Sequence, residues 1–241
     1  MSVTAIAAPV RARLRPGWSE ALPAPGPLDL GDGFVALVSR PGTPWLPNAI
    51  VLGPGPPVVW DPFLAPVDYP GPALAARGAA VLRALGVAEA ADGLAATALS
   101  PPRAAVAALV AALRSGDPAA RLRAAHDLVG RGPGLTPEGD DLLAGAAAVA
   151  AAAGDPLPLP PRLRELTTPL SATLLGLAAA GAAARPVHAL LDLDEADWHT
   201  ALRALERLGA SSGRALALGA GAAAAALGAR RPAARCATLL V

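Results

Sequence analysis

The segment GRGPGLTPEGDD, residues 130–141, combines the residue types and the spacing best suited to binding a small ligand. Gly130, Gly132 and Gly134 permit positive φ angles and a close approach of the backbone to a bound molecule. Thr136 and Pro137 then predict a helix start, with a hydroxyl at the cap and proline at the first helical position. Unpaired amides at such a helix start favour an anion such as phosphate or carboxylate.

Three acidic residues follow within the first turn and a half of the predicted helix, and they change what the segment can bind. Glu138, Asp140 and Asp141 would repel a bare phosphate, but they would assist if Mg²⁺ joined carboxylate and phosphate oxygens. Neighbouring helical residues point about 100° apart, so one of the two aspartates is expected to face a site shared with the loop. A purely structural interpretation also stays open, because acidic residues in the first turn of a helix commonly serve only to complement the helix dipole.

Gly139 favours the ligand-binding interpretation over an ordinary turn. A helix former would be better at this position by about 1 kcal/mol, so the glycine indicates that something approaches the backbone closely. The segment is not a Walker loop, because no Gly-Lys-Ser or Gly-Lys-Thr follows the glycines.

Further candidates lie outside this segment or beside its glycines. Ser211, Ser212 and Gly213 predict either a helix cap with a glycine for tight packing or a second anion-binding turn. His188 has a side chain suited to acid–base work near neutral pH. Arg131 is equally consistent with a bidentate grip on phosphate or carboxylate and with a solvated side chain.

The elements that must position these residues divide the chain in two. Residues 1–70 are rich in proline and glycine and contain β-like runs at 33–39, 48–52 and 58–60, which predict a small antiparallel sheet or barrel. Residues 71–241 predict an alanine-rich helical bundle carrying the loop, with helices near 73–85, 103–113, 117–129, 140–153, 161–183, 195–208 and 212–227 and a last strand near 234–241. The fold class is therefore α+β.

Composition excludes several classes of protein. The 20 basic and 19 acidic residues nearly balance, without the basic excess typical of nucleic-acid binders. All basic residues are arginine, which indicates a GC-rich bacterial gene. A single cysteine, Cys236, rules out an internal disulfide framework. The uncharged stretches are short or consist largely of alanine, and no secretory leader is apparent, so we expect a soluble cytoplasmic protein.

The motif GPGLTPEGDDLLAG at 132–145 closely resembles the hallmark of the AllH-like family, in which GLTPSGDDFL is typical. Two later stretches agree in order and spacing: Thr168–Leu175 followed by Arg185–His188, and the GASSG element at 209–213. The resemblance extends over about residues 30–228, with strong motifs after Gly130. Two departures concern the site. Glu138 replaces the usual serine, and Ala215 lies in a stretch where relatives often carry an aspartate.

Members of this family look like one subunit of the oxamate carbamoyltransferase of allantoin and purine nitrogen catabolism. That enzyme interconverts oxalurate plus phosphate with oxamate plus carbamoyl phosphate, and it requires two other kinds of subunit. The resemblance therefore implies a small anionic substrate and partner subunits. The alternative is a scaffold or regulatory subunit whose partners carry the chemistry.

Under the enzymatic hypothesis, the segment and the later motifs hold the substrate, and catalysis works by positioning and charge stabilisation. The residues expected to bind the anion are Arg131, Gly132, Gly134, Leu135, Thr136, Gly139, Ser211, Ser212 and Gly213. The residues expected to act in catalysis are Asp140, Asp141 and His188, and the two aspartates are also the expected Mg²⁺ ligands.

Overall fold

The computed structural model describes residues 3–14, 24–54, 56–66, 71–87, 103–194 and 197–230. Over these residues the chain forms a sheet followed by helices, which confirms the predicted α+β class. The strands are β1 (Val3–Ala7), β2 (Gly26–Asp29), β3 (Val35–Ser39), β4 (Ala49–Leu52) and β5 (Val58–Trp60). The helices are α1 (Ala8–Arg11), α2 (Pro72–Ala84), α3 (Arg103–Ser115), α4 (Pro118–Leu128), α5 (Glu138–Ala152), α6 (Leu163–Leu166), α7 (Pro169–Ala179), α8 (Arg185–Leu191), α9 (Trp198–Glu206) and α10 (Ser212–Gly228).

The sheet is mixed and open rather than purely antiparallel or closed into a barrel. Its strand order is β2-β3-β4-β1-β5. The pairs β2–β3 and β1–β4 are antiparallel, whereas β3–β4 and β1–β5 are parallel. The three predicted strands are present as β3, β4 and β5, whereas β1 and β2 were not predicted. Strand β1 lies between β4 and β5, and β3 runs parallel to β4, so the three predicted strands do not pair in a purely antiparallel sheet.

Helices α5 and α10 form the centre of the helical part and touch backbone to backbone. A Cβ atom at Gly145 would lie 2.1 Å from the carbonyl oxygen of Leu216, and one at Gly219 would lie 1.9 Å from that of Leu142. Gly78 of α2 packs on α10 in the same way, because a Cβ atom at this position would lie 2.3 Å from the amide nitrogen of Ala225. Most residues of α5 and α10 are buried, as expected for helices that are apolar on all faces beyond their first turns.

The single helix predicted over 161–183 is two helices, α6 and α7. Pro169 cannot occupy a helix interior without the loss of a backbone hydrogen bond, so it starts α7 instead. The Thr168 hydroxyl caps that helix by accepting a hydrogen bond from the Ser171 amide at 3.1 Å. Helix α8 was not predicted, and the predicted strand near 234–241 lies outside the described residues, as does Cys236.

The sheet packs on the helical part through one continuous cluster of buried apolar side chains. The Val35 amide donates to the hydroxyl of Thr173 on α7 at 3.0 Å, so β3 is tied directly to that helix. The amide of Ala183 donates to the carbonyl oxygen of Pro62 at 2.8 Å. The division into domains 1–70 and 71–241 stays a prediction. Within the described residues, no helix has the length and apolar character needed to cross a membrane.

Candidate functional site

The glycine-rich segment forms an exposed turn that leads into α5. As predicted, Gly130, Gly132 and Gly134 have positive φ angles, of 71°, 111° and 97°. Helix α5 begins at Glu138, which is one residue after the start at Pro137 that the Thr136 cap predicted and two residues before the predicted range 140–153. Pro137 occupies the cap position, and no side chain caps the helix. The hydroxyl of Thr136 instead contacts the hydroxyl of Ser212.

On one side of the α5 start, the backbone amides are used by the protein itself. The Gly139 amide donates to the carbonyl oxygen of Arg131 at 2.8 Å. The Gly130 amide donates to Oδ1 of Asp140 at 2.7 Å. A Cβ atom at Gly139 would lie 2.1 Å from the carbonyl oxygen of Leu128, so the close approach inferred from this glycine is made by α4 and not by a ligand.

Asp140 completes this closed side. Its Oδ2 accepts a hydrogen bond from the Thr167 hydroxyl, so each carboxylate oxygen has a donor from the protein. The side chain is only 2% exposed. Burial raises the pKa of Asp140, and the hydrogen bonds from Thr167 and Gly130 offset part of that rise. These contacts join the turn before α5 to the α6–α7 junction, which is a structural role.

The expected pairing of Asp140 with Asp141 around Mg²⁺ has little support in this geometry. Both oxygens of Asp140 are already engaged by protein donors. Among the residues that the structure describes, no group of three or more His, Cys, Asp or Glu side chains could hold a metal ion. The two neighbouring carboxylates face different partners, as their separation of about 100° on a helix requires.

Asp141 lies on the other side, with Thr136 and Ser212. The hydroxyls of Thr136 and Ser212 are 2.9 Å apart, although the two residues are separated by 76 positions in sequence. Asp141 is 8% exposed, and its Oδ2 has no hydrogen-bond partner in the structure. Burial raises the pKa of Asp141 to about 7, while the nearby hydroxyls of Ser212 and Thr136 oppose the rise. We call Thr136, Asp141 and Ser212 the polar head.

The polar head lines a cavity of about 260 Å³ whose other walls are mostly aliphatic. Leucines of the sheet region and of three helical regions meet there: Leu37, Leu46, Leu170, Leu174, Leu208 and Leu216. Leu135 also contributes, while 64% exposed. The aliphatic walls were not predicted, because the sequence around an isolated leucine does not indicate which cavity the side chain will line.

An aliphatic cavity with one polar end suits an uncharged polar group better than a phosphate. Moving a charged group into such a space is costly unless it is paired there. The hydroxyls can donate or accept hydrogen bonds, and a carboxyl group with a pKa near 7 can do either near neutral pH. The arrangement can therefore recognise a group that carries both N–H donors and a carbonyl acceptor.

The structure brings only some of the predicted site residues together. Leu135, Thr136, Asp141 and Ser212 line the cavity; Arg131, Gly132, Gly134, Gly139, Asp140, His188, Ser211 and Gly213 do not.

Among these, His188 and Gly213 have clear structural contacts. His188 Nε2 lies 3.0 Å from the carbonyl oxygen of Pro62, and the ring meets Trp60 edge-on with centroids 6.1 Å apart. Gly213 packs against the end of α9, where a Cβ atom would lie 1.7 Å from the Leu205 carbonyl oxygen. Ser211 occupies the cap position of α10 without a side-chain capping bond.

Residues 128–224 match the model of a family described as oxamate carbamoyltransferase subunit AllH. The match confirms the resemblance over this range, which begins at Leu128 beneath Gly139 and ends within α10. It contains all three residues of the polar head. Comparison with curated proteins and with solved structures finds no match.

Proposed function

We propose, from the similarity of residues 128–224 to this family, that the chain is a subunit of an oxamate carbamoyltransferase-type enzyme. We further propose that its cavity receives the carbamoyl group, H₂N–C(=O)–, of a small substrate. One observation carries the second proposal. Two hydroxyls from distant parts of the matched range meet at 2.9 Å beside a buried carboxylate oxygen that has no partner.

The chemistry of a carbamoyl group complements the polar head. Its nitrogen offers two N–H donors, which the Asp141 carboxylate can accept, and its carbonyl oxygen can accept from the hydroxyls of Thr136 or Ser212. Oxamate, oxalurate and carbamoyl phosphate all carry this group. Their charged carboxylate or phosphate would remain outside the aliphatic walls, where hydration or partner residues can stabilise it.

Binding of this kind would be coupled to the ionisation of Asp141. Donors from the ligand favour the charged carboxylate, so the ligand would lower the pKa of Asp141 from its value of about 7. The complex would then hold fewer protons than the free protein near neutral pH. Affinity is therefore expected to rise from pH 6 to pH 8, with protons released on binding.

The role that this geometry supports is positioning of the carbamoyl group rather than covalent catalysis. The chain contains no lysine, and neither hydroxyl of the polar head has a histidine among its described hydrogen-bond partners. A held carbamoyl group presents its carbon to an attacking nucleophile in one orientation, which lowers the entropic part of the barrier. The attacking group and the phosphate site would then come from elsewhere in this chain or from partner subunits.

Titration calorimetry with oxamate and with carbamoyl phosphate tests the proposal. Asp141→Asn keeps the shape of the side chain but replaces one acceptor by a donor, so affinity should fall about tenfold or more. Asp127→Asn, an exposed change on α4, is the matched control and should bind like the parent protein. Equal affinity in the Asp141 variant and the parent would show that the carbamoyl group binds elsewhere.

A second candidate, a subunit that does not bind substrate, is favoured by one specific observation. Leu135 protrudes from the glycine-rich turn and is 64% exposed, as an anchor for a partner chain would be. Ala215, in the stretch where relatives often have an acid, is fully buried. Loss of complex formation with the other carbamoyltransferase subunits in Leu135→Ser, together with no small-molecule binding by the parent, would favour this candidate.

A further inference from the structure

A second concave surface lies between the sheet and helices α8 and α9. It is an open groove of about 1080 Å³, bordered by the loop after β3, the end of β4 and both helices. Three arginines from separate elements line it: Arg40 after β3, Arg185 at the start of α8, and Arg207 at the end of α9. We call this surface the arginine groove.

The arginine groove has an excess of positive charge. Asp197 is the one acidic residue among the described residues that line it. Its carboxylate accepts hydrogen bonds from the amide and the hydroxyl of Thr200, at 3.2 and 2.5 Å, and thereby caps α9. Within the described part of the chain, none of the three arginines forms an ion pair. By contrast, Arg121 and Arg230 both pair with Asp155.

Arg185 is held in a defined orientation. Its guanidinium carbon lies 4.3 Å from the centre of the Trp45 ring, and its backbone amide donates to the Trp45 carbonyl oxygen at 2.8 Å. Stacking occupies the face of a guanidinium group and leaves the N–H groups on its edge available. Those N–H groups match the paired oxygens of a carboxylate or a phosphoryl group. A stacked arginine also loses less conformational freedom when it binds.

We propose that the arginine groove binds a ligand bearing a carboxylate or phosphoryl group, with Arg185 as the bidentate contact and Arg40 and Arg207 as supporting charges. The groove is open to water, so a charged group can enter without the cost of full desolvation. Leu208 and Gly209 line both this groove and the cavity of the polar head, so the two sites are neighbours. The anion site does not depend on the cavity binding a carbamoyl group.

Inorganic phosphate and oxalate are suitable probes, because neither carries a carbamoyl group. Titration of the full chain should give saturable heat by calorimetry and a change in tryptophan fluorescence. Trp45→Phe should remove the fluorescence change and keep the heat, which places the anion beside Arg185. Raising the salt concentration from 50 to 500 mM should weaken binding, because exposed charges are screened.

Substitution of the arginines tests whether the anion binds in the arginine groove. Arg185→Ala should weaken binding of the anion that binds the parent by about tenfold or more, and the Arg185→Ala/Arg207→Ala double variant should abolish it. These side chains are exposed, so the melting temperature should stay close to that of the parent. Arg83→Ala also removes one exposed charge, but Arg83 does not line the groove, so this variant should bind the anion as the parent does. Absence of saturable binding of both probes, or equal loss in Arg83→Ala, would overturn the proposal.

Discussion

Two neighbouring aspartates lie on the two sides of the α5 start, and they differ in whether their carboxylate oxygens have hydrogen-bond partners. On the closed side, Asp140 has a protein donor on each carboxylate oxygen and joins the turn before α5 to the α6–α7 junction. On the open side, Asp141 has an oxygen without a partner and lines a cavity. Most buried polar groups in proteins are satisfied, so an unsatisfied one calls for an explanation. The Asp-Asp pair therefore consists of one structural residue, Asp140, and one candidate ligand-binding residue, Asp141.

Gly139→Ala should have the largest effect on stability, because it would disrupt the packing of α4 against the closed side of the α5 start. The added methyl group would lie 2.1 Å from the Leu128 carbonyl oxygen, and backbone cannot yield as a flexible side chain does. We expect the free energy of unfolding to fall by about 3 kcal/mol or more, measured by urea denaturation. Gly176→Ala on α7 is the control, because its Cβ atom would meet nothing within 4 Å. That change should stabilise the protein by up to about 1 kcal/mol. Equal effects of the two substitutions would show that α4 is not packed tightly here.

Asp140→Ala should come next. It leaves the Gly130 amide and the Thr167 hydroxyl without their acceptor. Both donors belong to part-buried hydrogen bonds, and a donor left unpaired costs about 1–3 kcal/mol, so the free energy of unfolding should fall by about 2–4 kcal/mol. Asp127→Ala, on the exposed face of α4, should leave the denaturation midpoint unchanged. A ligand role for Asp140 would instead appear as weaker binding with little loss of stability.

Asp141→Asn should alter how stability depends on pH. The pKa of Asp141 rises from 3.8 to about 7 on folding, so the folded protein holds more protons between these values. The free energy of unfolding contributed by Asp141 is then fully present below pH 3.8 and is lost as the pH rises through 7. Between pH 5 and pH 8 the free energy of unfolding of the parent should fall by about 2–3 kcal/mol relative to the asparagine variant. Parallel stability curves for the two proteins would place Asp141 in water rather than in the cavity wall.

Thr136→Val should have the smallest effect on stability. It removes the hydroxyl contact with Ser212 but keeps the volume of the side chain. We expect a loss of about 1 kcal/mol, as for one net hydrogen bond. The free energy of oxamate binding, measured by calorimetry, should weaken by more than the free energy of unfolding does. A variant that loses stability but binds normally would assign the Thr136–Ser212 contact to packing alone.

Local features of this fold could be predicted because neighbours along the chain determine them. Positive φ angles at three glycines, the helix after Thr136-Pro137 and the α+β class all follow from short-range preferences. Even the error at 161–183 is local, because Pro169 was itself a signal of a new helix.

Long-range contacts could not be predicted in the same way. Gly139 indicated a close approach, but only the structure shows that the approaching atom is the Leu128 carbonyl oxygen. Thr136 was expected to cap its own helix, and its hydroxyl instead lies beside Ser212, 76 residues away. No turn residues near strand β1 indicate that it pairs between β4 and β5. Such pairings depend on how whole elements pack, which periodicity alone does not encode.

The glycine contacts between α5 and α10 restrict how this protein can diverge. Gly145 follows Asp141 by one helical turn, and Gly219 follows Ser212 by about two. Sliding either helix along its axis would move the glycines away from the contact and bring Cβ atoms of neighbouring residues against the facing carbonyl oxygens, so the spacing between the carboxylate and the hydroxyl is fixed. Relatives that accept other substrates are therefore expected to differ in the leucines around the cavity, while the separation between the two helices stays constant.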